Sequence, residues 1–397
     1  MTQILLLADN QRDPQSRAAE HDRVLDHVAG LVETMKPDAV AHSGDWTERR
    51  PTHEDREYLF GWIRRVARVC PIVGVEGNHE EPGFCDEFAH LDVERPVDVA
   101  TTPRVVQAGG VAFGLCPWPR RERLRQWLGR PAATGDVDEL ANELLLDVLR
   151  GLGAELARDA APDMPRVLVI HAEPAEYKLG ADQPMHVAQG MRVAIEDMVQ
   201  LTGCDLVACG HIHRPDTFIV PRGDGVDVPV LLIGSPRRTA YAAGELEEKG
   251  IVLVTFNGRT PTWQRIPTPS TPMQLVEATW RDGEIGPNLY FDADPPVIAQ
   301  GSEVRLRYTV PSDQREAARA KAAKFVESWR VHSGAAEVKL DEVVLPVSVA
   351  RAPEVAAAPT VAGKLSALWD ARAEGLSCDR RERLLRKVAD VEEEVAR

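Results

Sequence analysis

Three short, almost wholly apolar runs are interleaved with two segments of helical periodicity in the first 75 residues. No other feature of the chain restricts its fold as much. Residues 4–8, 38–42 and 71–75 read as strands. Between them, Val24, Leu25, Val28, Leu31 and Val32 recur at helical spacing within residues 16–35, and Tyr58, Leu59, Trp62, Ile63 and Val66 do so within residues 54–69. Strands that are apolar on both faces must be covered on both sides. The β-α-β-α-β order therefore predicts an α/β domain with a layered, largely buried sheet.

The pattern continues. Strands are expected at 111–116, 167–170, 205–209, 230–233 and 251–256, with a helix at 137–158 and a short strand around Trp263. This places a first domain over residues 1–266. Pro267-Thr268-Pro269-Ser270-Thr271-Pro272 reads as a linker. Residues 273–349 read as a small α+β unit, with strands at 304–310 and 337–345 and a helix at 314–329. After an Ala/Pro-rich stretch, residues 363–397 read as two helices split by Gly375.

Chemistry-bearing residues sit where these strands end. Asp9, Asp45, Asn78 with His79, His171, and His211 with His213 each follow an apolar run. In α/β sheets, ligands bind at the carboxyl ends of strands. Carboxylate, amide oxygen and imidazole together suit Mn²⁺ or a similar ion, and a pair of such ions can clamp the oxygens of a phosphoryl transfer. Zinc ribbons and dithiol redox chemistry are not supported, because the six cysteines include no C-x-x-C pair. The net charge of −15 argues against indiscriminate nucleic-acid binding but leaves room for a local basic surface. No run is apolar enough to span a membrane, and the N-terminus lacks a basic leader, so a cytoplasmic protein is expected.

In order, Asp9-x-Gln11, Gly44-Asp45, Gly77-Asn78-His79-Glu80, His171 and Gly210-His211-x-His213 resemble the motifs of the calcineurin-like metallophosphoesterases. Gly234-Ser235-Pro236-Arg237-Arg238, with Gly244-Glu245 and Lys249-Gly250-Ile251, further resembles the SbcD-type nuclease subunits of double-strand-break repair. That resemblance implies a layered β-sandwich flanked by helices, a small α+β capping domain and a C-terminal helical tail. It implies one divalent ion, Mn²⁺ by expectation, held by Asp9, Gln11, Asp45 and His213. A second would be held by Asp45, Asn78, His171 and His211, with His79 serving the leaving oxygen. It also implies DNA as substrate, a homodimer, and an SMC-like ATPase partner on the C-terminal helices.

Two positions depart from the family pattern. Gln11 stands where the family has His, which weakens that ligand, and Glu48 stands where the nucleases often have His. Arg49, Arg50, Arg120 and Arg121 are candidates for DNA phosphate contact, against the simpler reading of solvated arginines. In the last helix, Asp379 with Glu382 reads as a capping box, and Leu384, Leu385, Val388 and Val391 form an apolar stripe for a partner or for the capping domain. Two competing functions remain. One is another metallophosphodiesterase acting on cyclic nucleotides or small phosphodiesters. The other is an impaired nuclease acting as a DNA-end or ATPase adaptor, an alternative kept open by Gln11.

Overall fold

The computed structural model describes residues 1–13, 17–120, 123, 137–177, 192–239, 248–281, 283–287, 297–346, 355, 357–372 and 377–395. The chain divides into two compact units. One comprises residues 1–277, 289–307 and 324–341; the other comprises 278–288, 308–323 and 342–397.

The first unit holds two six-stranded sheets. In one, β1 (Thr2–Leu7), β2 (Ala39–His42), β3 (Ile72–Val75) and β4 (Val97–Ala100) run parallel. Antiparallel β13 (Gly250–Asn257) and β14 (Thr260–Pro267) extend it on the β1 side. In the other, β6 (Val111–Cys116), β7 (Arg166–His171), β10 (Leu206–Gly210) and β12 (Asp227–Leu232) are parallel, with antiparallel edges β5 (Arg104–Ala108) and β11 (Asp216–Pro221). Two-residue strands β8 (Glu173–Pro174) and β9 (Arg192–Val193) pair separately.

Strand alternation builds the layers. Ile4, Leu6, Ala41 and Val73 meet Phe113, Val167, Val169 and Leu206 in a core between the sheets. The opposite faces take helices. Leu5, Leu7, Val40 and Ile72 pack on α1 (Ala18–Met35) and α2 (His53–Ala67). Leu168, Ile170, Val207 and Cys209 pack on α3 (Val137–Asp159) and α4 (Ile195–Thr202). Burial on both faces explains the unbroken apolar runs. Thr52 starts α2 with a capping box closed by Asp55. Cys70, Cys85, Cys116, Cys204 and Cys209 are buried free thiols. The expected α/β sandwich flanked by helices is the fold observed, its strands divided between two six-stranded sheets. The short strand expected around Trp263 is the eight-residue β14.

Further along, the helix expected at 314–329 is α5 (Arg315–Val331). In the second unit, Ala278–Arg281 pairs antiparallel with Glu284–Pro287, and the Trp280 indole N–H donates to Gln314 Oε1. The C-terminal helices are α6 (Val361–Arg372) and α7 (Cys378–Val395), joined by an ion pair from Arg381 to Asp370 at 2.8 Å. Gly375 lies outside the described residues. The capping box expected at Asp379 is not formed. The helix begins one residue earlier, and the Ser377 carbonyl accepts the Arg380 and Arg381 amides, which puts Asp379 inside the first turn. Leu384 and Val391 of the apolar stripe are exposed. Among the described residues, no helix is long and apolar enough to cross a membrane.

Candidate metal centre

The loops leaving β1 and β2 continue side by side beyond the sheet. Asp9 N–H donates to the Gly44 carbonyl at 3.0 Å, Gln11 N–H to Asp45 at 2.9 Å and Arg12 N–H to Trp46 at 3.2 Å. These bonds hold Asp9 (φ 52°), Gln11 (φ 45°) and Asp45 (φ 58°) in left-handed conformations, and His211 (φ 84°) after β10 is alike. Glycine allows the close approaches between loops. A Cβ on Gly77 would lie 2.1 Å from Asp45 Oδ1, and one on Gly44 would lie 2.4 Å from His171 Nδ1.

Asp45, His171 and His211 bring one ligand atom each within 4.8 Å of one another, all buried. His171 Nε2 lies 3.4 Å from Asp45 Oδ1 and 2.8 Å from Asn78 Oδ1, and His211 Nδ1 lies 2.9 Å from the same Asn78 oxygen. The donors come from both sheets: Asp9, Asp45 and Asn78 from one, His171 and His211 from the other. His171 Nδ1 donates to the Ser43 carbonyl at 2.6 Å, which turns Nε2 toward the cluster. Asp9 Oδ1 accepts the His211 amide at 2.9 Å. Asp9 Oδ2 and His211 Nε2 are buried without a hydrogen-bond partner. Orphaned lone pairs beside a carboxylate, an amide oxygen and imidazoles form a donor set that a divalent cation would satisfy, so these residues fit such an ion.

The electrostatics agree. Burial works to raise the Asp45 pKa, yet the charged, hydrogen-bonded His171 and the His79 charge hold it well below the carboxylate range. Burial lifts Asp9 to about 6. His171 is raised to about 9, because Asp45 and Asp9 outweigh its burial. Burial and the His171 charge depress His211 to about 3 and keep it neutral. The proton that Asp45 holds on His171 occupies the side of the ring a cation would take.

The remaining candidates lie nearby. The buried Gln11 amide donates to Asp45 Oδ2 at 3.4 Å, and its carbonyl accepts from Arg237 at 3.1 Å. His213 Nδ1 lies 3.0 Å from Thr239 Oγ1, and its carbonyl accepts from the buried Lys249 at 2.9 Å. His79 is partly exposed. Its amide donates to Asp45 Oδ1 at 3.1 Å and its Nδ1 to the Glu48 carbonyl at 2.6 Å, while Nε2 stands 3.8 Å from Asp45 Oδ2. Burial works to lower its pKa, but Asp45 and Glu48 leave it above the usual imidazole value. His42 is buried and stacks on Trp46 at 3.7 Å, accepting the Gly44 amide. Arg49 pairs with Asp13, and Arg50, 81% exposed, with Glu81 at 3.2 Å. Arg120 points to the Asn78 and Glu80 carbonyls. Arg121 lies outside the described residues.

Sequence reasoning missed two supports. The buried Glu80 carboxylate accepts the amides of Asp45 (3.1 Å), Thr47 (3.1 Å) and Gly77 (2.6 Å), tying the second and third loops together. The Trp118 ring lies 4.8 Å from that of His211 and 5.7 Å from that of His171. Apart from the Glu80–Gly77 bond, both act on residues distant in sequence, so no local spacing marks them. The position of Glu80 directly after His79 was the one available signal for it.

The chain is similar to the solved structure of TT1561 of Thermus thermophilus, at 14% identity and TM-score 0.39, covering 66% of this chain and 98% of that one. It is also similar to GAP50, the anchor in the inner membrane complex of Plasmodium, at 11% identity and TM-score 0.39, covering 67% and 84%. No curated protein matches. The family model for calcineurin-like phosphoesterases matches residues 2–215, the span that contains every loop of this centre. The chain therefore belongs to the calcineurin-like phosphoesterase family.

Proposed function

We propose that this metal-dependent phosphoesterase is a DNA nuclease subunit of the SbcD type, hydrolysing phosphodiesters at DNA ends with two divalent ions, Mn²⁺ by preference. The observation that carries the hydrolytic reading is the buried donor cluster of Asp45, Asn78, His171 and His211 with His79 at its edge. One ion would be held by Asp9, Gln11, Asp45 and His213, the other by Asp45, Asn78, His171 and His211. When bound, such ions supply charge that neutralises a phosphodiester and acidifies water. The chain's own residues do the rest. Asp45 fixes the His79 backbone, and the Glu48 carbonyl accepts the Nδ1–H hydrogen bond, so Nε2 is the atom that would hand a proton to the leaving oxygen. The exposed Arg49 and Arg50 follow Asp45 closely, which supports a role in meeting phosphate, with Arg121 as a further candidate. The exposed stripe of Leu384 and Val391 supports docking of an SMC-like ATPase on the C-terminal helices.

The test is a Mn²⁺ titration of cleavage on end-labelled duplex DNA beside cyclic nucleotides. Mn²⁺-dependent loss of DNA ends, absent in His79→Ala, is the expected result. Turnover of cyclic nucleotides alone would favour the small-phosphodiester reading. Gln11 supports an adaptor reading: it places a neutral amide, engaged with Asp45, in a ligand position. End binding without cleavage is that reading's signature. Loss of ATPase co-purification on deleting residues 363–397 tests the partner.

A further inference from the structure

Resting on the metal-centre reading above, we propose that Trp118 and Arg120 form a strap that sets the spacing between the two halves of the donor set. In this arrangement Arg120 acts inward as a positioning residue. The strap leaves the end of β6, in the sheet that carries His171 and His211. Its first hold is on the other sheet: Trp118 N–H donates to the Glu76 carbonyl at 2.8 Å, one residue before the Gly77-Asn78 turn. The Trp118 ring covers His211 at an interplanar angle of 35° and meets His171 edge-on at 71°. Two residues on, Arg120 Nη2 donates to the Glu80 carbonyl at 2.9 Å and reaches the Asn78 carbonyl at 3.5 Å. Its Nε stands 3.5 Å from Oε1 of the buried Glu76, which Arg123 also contacts at 2.5 Å.

A guanidinium is suited to this place. Its planar fork turns Nη2 to two carbonyls while the rest of the charged plane stands beside the Glu76 carboxylate, a spread that an ammonium cannot match. Removing it leaves the Asn78 and Glu80 carbonyls short of a donor on the loop that carries one metal ligand and the catalytic imidazole. The Glu80 carboxylate, accepting the Asp45 and Gly77 amides, still holds that loop to Asp45. The fold therefore survives while the distance from Asn78 to the two histidines loosens. Partners that orient metal ligands in this way change metal affinity about 10–100-fold when mutated.

The experiment measures the Mn²⁺ dissociation constant of the full chain by titration calorimetry, with the affinity for blunt duplex DNA measured separately in EDTA. The proteins are wild type, Arg120→Met, Arg120→Lys and Trp118→Leu. Arg120→Met is expected to weaken Mn²⁺ binding about 10–100-fold with DNA affinity unchanged, Arg120→Lys to recover part of it, and Trp118→Leu to weaken Mn²⁺ binding as well. Wild-type Mn²⁺ affinity in Arg120→Met overturns the proposal. So does a loss confined to DNA affinity, which would make Arg120 a phosphate contact. If Arg120→Met does not fold, unchanged Mn²⁺ affinity in both Arg120→Lys and Trp118→Leu overturns it. Failure of the wild type to bind Mn²⁺ sinks the metal centre together with the strap. Tight wild-type binding with indifferent variants sinks the strap alone.

Discussion

His21 sits on α1 behind the first ligand loop, 1% exposed, with Nε2 donating to the Asn10 carbonyl at 2.7 Å. Asn10 lies between Asp9 and Gln11, so this bond pins the loop that presents them. Burial, then the Arg237 charge, push the His21 pKa from 6.5 to about 3; the Asn10 carbonyl opposes this and Arg12 adds to it. The folded imidazole therefore stays neutral at pH values where the unfolded one takes a proton. Its folded pKa lies below its unfolded value, so stability is complete above pH 6.5 and falls as pH drops toward 3. The slope is about 1.4 kcal/mol per pH unit, or about 2 kcal/mol between pH 6.5 and 5. That is a large share of the 5–15 kcal/mol typical of a domain. In His21→Gln, an amide nitrogen can reach the same carbonyl and has no proton to gain. Urea unfolding followed by tryptophan fluorescence, in EDTA between pH 7 and 4.5, gives the stability of each protein. The variant is expected to lose about 1.4 kcal/mol less per unit below pH 6 than the wild type. Parallel stability curves would refute the buried neutral imidazole and the anchoring role built on it.

His79→Ala is expected to lower turnover of end-labelled DNA about 10²–10⁴-fold with Mn²⁺ affinity unchanged. The loss should be much smaller on a p-nitrophenyl phosphodiester, whose leaving group needs no proton; equal losses on both substrates would count against the proton-donor role. Gln11→His should reach half-maximal cleavage at lower Mn²⁺ than the wild type, because an imidazole replaces a neutral amide ligand; an unchanged titration would remove Gln11 from the site. Gly77→Ala drives a Cβ to 2.1 Å from Asp45 Oδ1. It should cost about 1–3 kcal/mol by urea unfolding and abolish the thermal shift on adding Mn²⁺.

The helices flanking the first three strands and the residues at the strand ends were legible because both signals are local. Leu5 and Leu7 alternate with Ile4 and Leu6 to face helices and the other sheet in turn, and such alternation needs no knowledge of a partner. The two-sheet layering came from the family resemblance, and the assignment of each strand to its sheet was not legible in the periodicity. Nothing in residues 167–170 says whether they will pair with residues 39–42 or, as observed, with residues 112–116 and 206–210. The same limit hid β4, β5 and β11. These are short or edge strands, and the β11 residues Asp216–Pro221 are largely exposed. Glu80 and Trp118 escaped for a related reason. Each acts on backbone or rings more than 30 positions away, except at Gly77, and periodicity carries no record of that.

The left-handed residues explain why a site so costly in backbone energy persists. Of the six non-glycine residues with positive φ among the described residues, four are Asp9, Gln11, Asp45 and His211. Each costs about 1–3 kcal/mol. Glycine would remove the strain, and glycine is what stands at Gly44 and Gly234, where no side chain is required. At the four strained positions the side chain points into the donor cluster or braces it, so glycine would relax the loop and empty the centre. At Asp9, Gln11 and Asp45 the strain is held by bonds that do not depend on those side chains: the paired amides of the first two loops, and the Glu80 carboxylate on Asp45 and Gly77; the His211 amide rests instead on the Asp9 carboxylate. A scaffold that fixes the backbone independently of the ligands can tolerate a change of ligand. This is how Gln11 can occupy its position with the loop geometry intact, and why its replacement by histidine is expected to alter metal affinity without refolding the site.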